Sequence, residues 1–125
     1  GRGTVEHKEA LEKKREFNVF LLADAFLKRD KKSLWVLLIQ ALRRGVKPED
    51  IIGTLVWQTK TLLILEEGGG KMLKPFVVQK GTQGLRNFKK GEIGLLTFML
   101  LESYHKARRG HGDMETALER FVLSV

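Results

Sequence analysis

Cysteine is absent from this chain of 125 residues, which excludes a disulfide framework, a thiolate nucleophile and a zinc–thiolate site. The absence fits a reducing, cytoplasmic setting, and that is the location expected. Only two prolines occur, Pro48 and Pro75, so long helical stretches meet few breakers. No uncharged run approaches the ~18 residues needed to cross a bilayer, and the first residues lack a signal peptide's apolar core, so no membrane partner is expected. β-branched runs of alternating polarity are also scarce, which argues against a sheet.

What is present points to helices. Hydrophobic residues make up 42% of the chain, too many for a disordered segment. Three stretches, 33–42, 51–65 and 93–101, are apolar on nearly every side, and a helix of that kind is normally covered on both faces. One domain of this size has a single core, so partner chains are expected to supply the remaining cover. The formal charge of +8 makes an acidic partner plausible. Between Gly68 and Gly91 stand Lys71, Lys74, Lys80, Arg86, Lys89 and Lys90 with no carboxylate. These cations form either a solvated surface or a nucleic-acid contact.

Residues 1–16 mix both charge signs around Val5, Ala10 and Leu11 and read as a charged helical arm outside the core. The beginning at Gly1-Arg2-Gly3, without an initiator methionine, is expected of a piece of a longer protein. Asn18 is a good N-cap, and Phe17 and Leu22 are spaced as a hydrophobic staple, so a helix is expected from there to about Lys28. Asp30 can cap a second helix that Gly45 ends; it carries Leu34, Leu37, Leu38, Ala41 and Leu42 on one side and Trp35 and Ile39 on another. Pro48, followed by Glu49 and Asp50, opens a third helix that runs to Gly68, with Trp57, Ile64 and Leu65 as its second stripe. After Gly68-Gly69-Gly70, Pro75 starts a fourth helix, in which Gly81 and Gly84 signal either close helix approach or irregularity. Phe88 and Ile93 are spaced as a staple with Glu92 at the third position, placing the start of a fifth helix at Lys89, a poor cap, and its end near Arg109. Asp113 caps the last, with Met114, Ala117, Leu118, Phe121, Val122 and Val125 on one stripe. The expected fold is all-α: a compact bundle of five to six helices over residues 17–125.

Catalytic chemistry finds little support. A Walker A motif needs glycine where Leu65 stands and a hydroxyl where Met72 stands, so Gly68-Gly69-Gly70-Lys71 is not a phosphate loop. His7, His105 and His111 lie in no metal-ligand pattern, and Tyr104 has no visible base beside it. No catalytic residue, metal or cofactor is therefore expected. Trp35 and Trp57, with Ile39 and Ile64, are placed either in the core or at a subunit interface. Arg108, Arg109 and His111 make a short cationic loop, read either as a solvated helix end or as a phosphate contact.

The segment Lys74-Pro75-Phe76-Val77-Val78-Gln79-Lys80 resembles the Pro-Phe-Val-x-x-Lys helix start in the C-terminal domain of the bacterial DNA polymerase III delta subunit family. Supporting matches follow in order: Phe17-Asn18, Asp24-Ala25, the Pro48 helix, Lys106, and Asp113 followed by Ala117-Leu118-Glu119-Arg120. Gly81 and Gly84 depart from a helix usually rich in leucine and arginine, and Ser103 stands where an acidic residue is expected. The resemblance implies a collar domain of the clamp loader, which packs against helical domains of the gamma/tau and delta-prime subunits and helps load the sliding clamp in DNA replication. Contact with the clamp itself would belong to an upstream region. The parent complex would serve a DNA-directed DNA polymerase, while this piece would hydrolyse nothing. The resemblance transfers no site residue; helix faces give Trp35, Ile39, Trp57 and Ile64 as the inferred interface, and charge gives Lys80, Arg86, Lys89, Lys90, Arg108, Arg109 and His111 as candidate DNA contacts. The alternative is a stand-alone basic helical module that binds nucleic acid.

Overall fold

Four of the six helices in the computed structural model, which describes residues 19–125, begin at a residue whose chemistry favours a start. Helix α1 covers residues 19–27, α2 Lys31–Arg43, α3 Pro48–Glu66, α4 Pro75–Leu85, α5 Glu92–Arg108 and α6 Met114–Ser124. No strand occurs among the described residues. Asp30 caps α2 by accepting from the Ser33 backbone N–H at 3.1 Å and its hydroxyl at 2.7 Å, and Asp113 caps α6 by accepting from the Thr116 N–H at 3.2 Å. Pro48 and Pro75 occupy first-turn positions of α3 and α4, where a missing N–H costs nothing. The charged arm, with His7, and the Phe17-Asn18 helix start lie outside the described residues.

Helix α5 departs from its expected start. Its N-cap is Gly91, at φ 90°, rather than Lys89, so the helix opens at Glu92. The Glu92 carboxylate still reaches back to the Lys89 N–H at 2.6 Å, the half of a capping box that needs no hydroxyl on residue 89. Helix α3 also ends sooner than Gly68, at Glu66, with Gly68 beyond it in the left-handed region.

Four of the helix ends share one device. After α2, α3 and α5, a glycine at positive φ (Gly45, Gly68, Gly110) donates to the carbonyl three residues back. The next N–H donates to the carbonyl five back, which completes a Schellman motif. Helix α1 closes with the same pair of bonds, Arg29 to Phe26 at 2.9 Å and Asp30 to Ala25 at 3.0 Å, yet its left-handed residue is Arg29 at φ 53°.

The core draws on α1, α2, α3, α5 and α6, with α4 adding the partly buried Leu85 at its edge. Phe26, Leu34, Leu38, Ile51, Leu55, Leu62, Ile93, Leu118 and Val122 are fully buried, and Phe26 packs against both Phe88 and Phe121 with ring centroids 5.2 and 5.8 Å apart. Helix α3 is the hub, packing on α4, α5 and α6. Gly81 and Gly84 resolve the ambiguity of α4 in favour of close approach. A Cβ on Gly81 would stand 2.3 Å from Leu65 Cδ1, and one on Gly84 would stand 2.6 Å from Leu27 Cδ2 and 3.2 Å from Leu27 Cβ. The missing side chains let α4 lie close against α1 and α3.

Two outcomes are expected. Gly84→Val should destabilise the fold by about 1–3 kcal/mol through overpacking on Leu27, whereas Gly53→Ala, in mid-helix with nothing near its Cβ, should stabilise it by up to about 1 kcal/mol. Urea midpoints read both. At position 29 the usual helical order should reverse: Arg29→Gly should be more stable than Arg29→Ala by about 1 kcal/mol, because only glycine is relaxed at that φ. Equal stabilities would show that the backbone there relaxes instead.

Candidate interaction surfaces

Helices α3 and α5 bury polar groups and expose apolar ones. On α3 the buried residues include Gln58, Thr59 and Thr61, while Trp57 is 53% and Ile64 45% exposed. On α5, Thr97 is buried while Leu95, Phe98 and Met99, spaced as one face, are exposed. Two of the buried hydroxyls bond locally: Thr59 donates to the Val56 carbonyl at 3.0 Å and Thr97 to the Ile93 carbonyl at 2.7 Å. Water is thus left with side chains that would normally be hidden.

The four residues expected at an interface divide. Trp57 and Ile64 stand in solvent, whereas Trp35 and Ile39 are half-buried and Trp35 packs against the core. Leu95, Phe98 and Met99 were missed because they belong to a stretch apolar on nearly every side, where spacing does not say which face turns inward.

Trp57 also borders a groove of about 580 Å³, formed where α1, the start of α3 and α4 meet. Phe20 and Phe76 share its wall and are also exposed. Between them sits the Lys80 ammonium, 4.6 and 5.1 Å from the two ring centroids and 2.8 Å from Asp24 Oδ1. Asp24, Phe76 and Lys80, three of the residues on which the family resemblance rests, therefore meet at one place. Lys80 is held by an internal carboxylate and two aromatic faces rather than standing free toward a phosphate.

The remaining cations fall into two groups. Arg86, Lys89 and Lys90 are exposed just before α5, and Arg108, Arg109 and His111 are exposed at its far end. A helix of 17 residues separates the groups by about 25 Å, so they do not form one patch. Arg108 lies over the Tyr104 ring at 5.9 Å and 3.8 Å from Glu49.

The first group adjoins the tightest ion pair of the described residues. Arg29 donates to both Glu92 oxygens, at 2.9 and 2.7 Å, and to the Asn87 carbonyl at 3.0 Å, with its guanidinium 5.0 Å from the Phe88 centroid. Asn87 returns a bond from its amide to the Leu27 carbonyl at 2.7 Å. The Arg29 bonds, followed by the Lys89 N–H, pull the Glu92 carboxyl down from 4.5 to about 2 and raise the Arg29 pKa. No group of side chains suited to a metal ion occurs among the described residues, nor does any helix long and apolar enough to cross a membrane. Comparison with known proteins finds no matching family model, no matching curated protein and no matching solved structure.

Because the folded Glu92 pKa lies below its unfolded value, its contribution to stability is complete above about pH 5 and fades as the pH falls toward about 2. Glu92→Gln should therefore lower the urea midpoint at neutral pH and flatten its decline through that acid range. Asp30, whose pKa is lowered by its bonds from Ser33, should leave a residual slope in the variant. An unchanged acid limb would show that the Arg29 fork does not stabilise the fold.

Proposed function

We propose that this chain is an assembly module, a collar-type helical domain of a clamp-loader delta subunit, which packs against the helical domains of other loader subunits so that the sliding clamp can be placed on DNA. The observation that carries the assembly reading is the reversed burial on α3 and α5. A helix that turns Thr59 inward and Trp57 outward is unfavourable for an isolated chain and reasonable once a second protein covers the outer face. The clamp-loader identity rests on the Pro-Phe-Val-x-x-Lys resemblance and on the meeting of Asp24, Phe76 and Lys80 beside the same groove as Trp57.

Protein assembly is favoured over catalysis because the exposed feature is apolar area, and the hydroxyls that meet a carboxylate, Ser33 on Asp30 and Thr116 on Asp113, do so within helix caps. A partner helix laid across Trp57 and Ile64, which are seven residues apart on α3, would meet two successive ridges of one face.

The test is co-purification with gamma/tau and delta-prime collar domains. Complex formation at micromolar concentration is expected, and its absence would overturn the clamp-loader reading. Trp57→Glu should weaken assembly by about 30-fold or more, the loss typical of an interface hot spot, with little change in the urea midpoint because the ring is already in water. Unfolding of that variant would instead assign Trp57 to the stability of the bundle.

A further inference from the structure

At one end of the bundle, two turns that are 58 to 63 residues apart in sequence are fastened together by the bonds of Arg29 and Asn87. The turn between α1 and α2 brings Lys28, Lys31 and Lys32, and the turn between α4 and α5 brings Arg86, Lys89 and Lys90. Each of these cations lies within three residues of a bond joining the turns, and all six are exposed. We propose that this paired-turn surface binds the phosphodiester backbone of duplex nucleic acid.

The charge balance carries the proposal first. None of the six cations forms an ion pair with another described residue. The two carboxylates nearby are both engaged: Asp30 accepts from Ser33, and Glu92 accepts from the Arg29 fork and the Lys89 N–H. Glu92 is offset by Arg29, while Asp30 keeps its negative charge beside Lys28 and Lys32, so six cations stand against one carboxylate that makes no ion pair and the surface remains strongly positive.

The surroundings select the partner. No large exposed apolar residue lies in either turn, so nothing is present to insert into a lipid surface. No exposed aromatic is present either, since Phe88 lies under Arg29 and the exposed rings Phe20, Trp57, Phe76 and Phe98 stand on helices outside the turns. Base stacking, the usual means of gripping a single strand, therefore has no platform. What remains is backbone contact, strongest for the ligand with the densest phosphates and indifferent to base sequence. The Arg29 fork holds together the two turns that carry the cations before any ligand arrives. None of the six cations lines the Trp57 groove, so the proposal does not rest on the collar reading.

The test uses the whole 125-residue chain and a fluorescent duplex of about 20 base pairs, titrated at rising salt. One variant replaces Lys28, Lys32, Lys89 and Lys90 with glutamine. A second, of equal net charge, replaces Lys71, Lys74, Arg108 and Arg109. The first should bind at least about tenfold more weakly at low salt, with a log–log salt slope shallower by about 3 to 4, while the second stays near wild type. If the first loses its helical circular dichroism, Lys89→Gln with Lys90→Gln should still flatten the slope by about 2. Equal losses in the two variants would reduce the effect to net charge and overturn the proposal. So would tighter binding of a single strand, absence of duplex binding at about 50 mM salt, or binding confined to phosphatidylserine vesicles.

Discussion

The arrangement at Arg29 requires explanation before the rest of the fold does. A left-handed backbone costs a non-glycine residue roughly 1–2 kcal/mol, and three other helix ends in this chain avoid that cost with Gly45, Gly68 and Gly110. Arginine is tolerated at the fourth because this position needs a side chain as well as a turn. From there the guanidinium reaches two carboxylate oxygens, one backbone carbonyl and one aromatic face. The αL geometry aims the side chain across to the α4–α5 turn, and the bonds made there offset the strain. Phe88 is held in the same act, and through Phe26 it joins the ring contact with Phe121. A polar clasp on the surface and an aromatic cluster beneath it thus fix how α1, α5 and α6 meet.

With that geometry set, the central helix has little choice of face. Helix α3 must present Ile51, Ile52, Leu55 and Leu62 to the core, and the intervening Thr59 and Thr61 turn inward with them. Their small size, and for Thr59 a bond to the Val56 carbonyl, make this tolerable, while Gly81 lets α4 close against Leu62 and Leu65. Trp57 and Ile64 are consequently displaced outward. The exposed apolar surface follows from where the core sits, and only a partner removes its cost.

Much of the fold was legible because its punctuation is local. Asp30, Pro48, Pro75 and Asp113 mark helix starts through bonds within a turn or two, and Gly45 and Gly68 mark ends through a φ that other residues resist. The strong single stripe of α6 also settles its buried face, with Leu118, Phe121 and Val122 inward. Faces failed where the stripe was doubled, as with Leu95, Phe98 and Met99, because periodicity has no answer for a helix apolar all round. The Lys89 start failed for a related reason: the spacing identified the Glu92 back-bond correctly, but Gly91 could adopt a backbone that Lys89 does not supply.

Charge was the least readable property, because it depends on pairings across long sequence separations. Lys80 and Lys89 belong to the same basic run, yet Lys80 is consumed by Asp24 from 56 residues away while Lys89 gives only its backbone N–H to Glu92. Conversely, Lys28, Lys31 and Lys32 looked unremarkable beside Asp30 until the fold set them against Arg86, Lys89 and Lys90. The chain thus separates two kinds of surface: aromatic walls with an internally compensated ion pair around the groove, and cations in excess of carboxylates around the paired turns. An apolar partner face gains from the first because little charge must be desolvated there, and a phosphate backbone gains from the second because its counterions can leave. The two surfaces can therefore be occupied at once without competing for the same side chains.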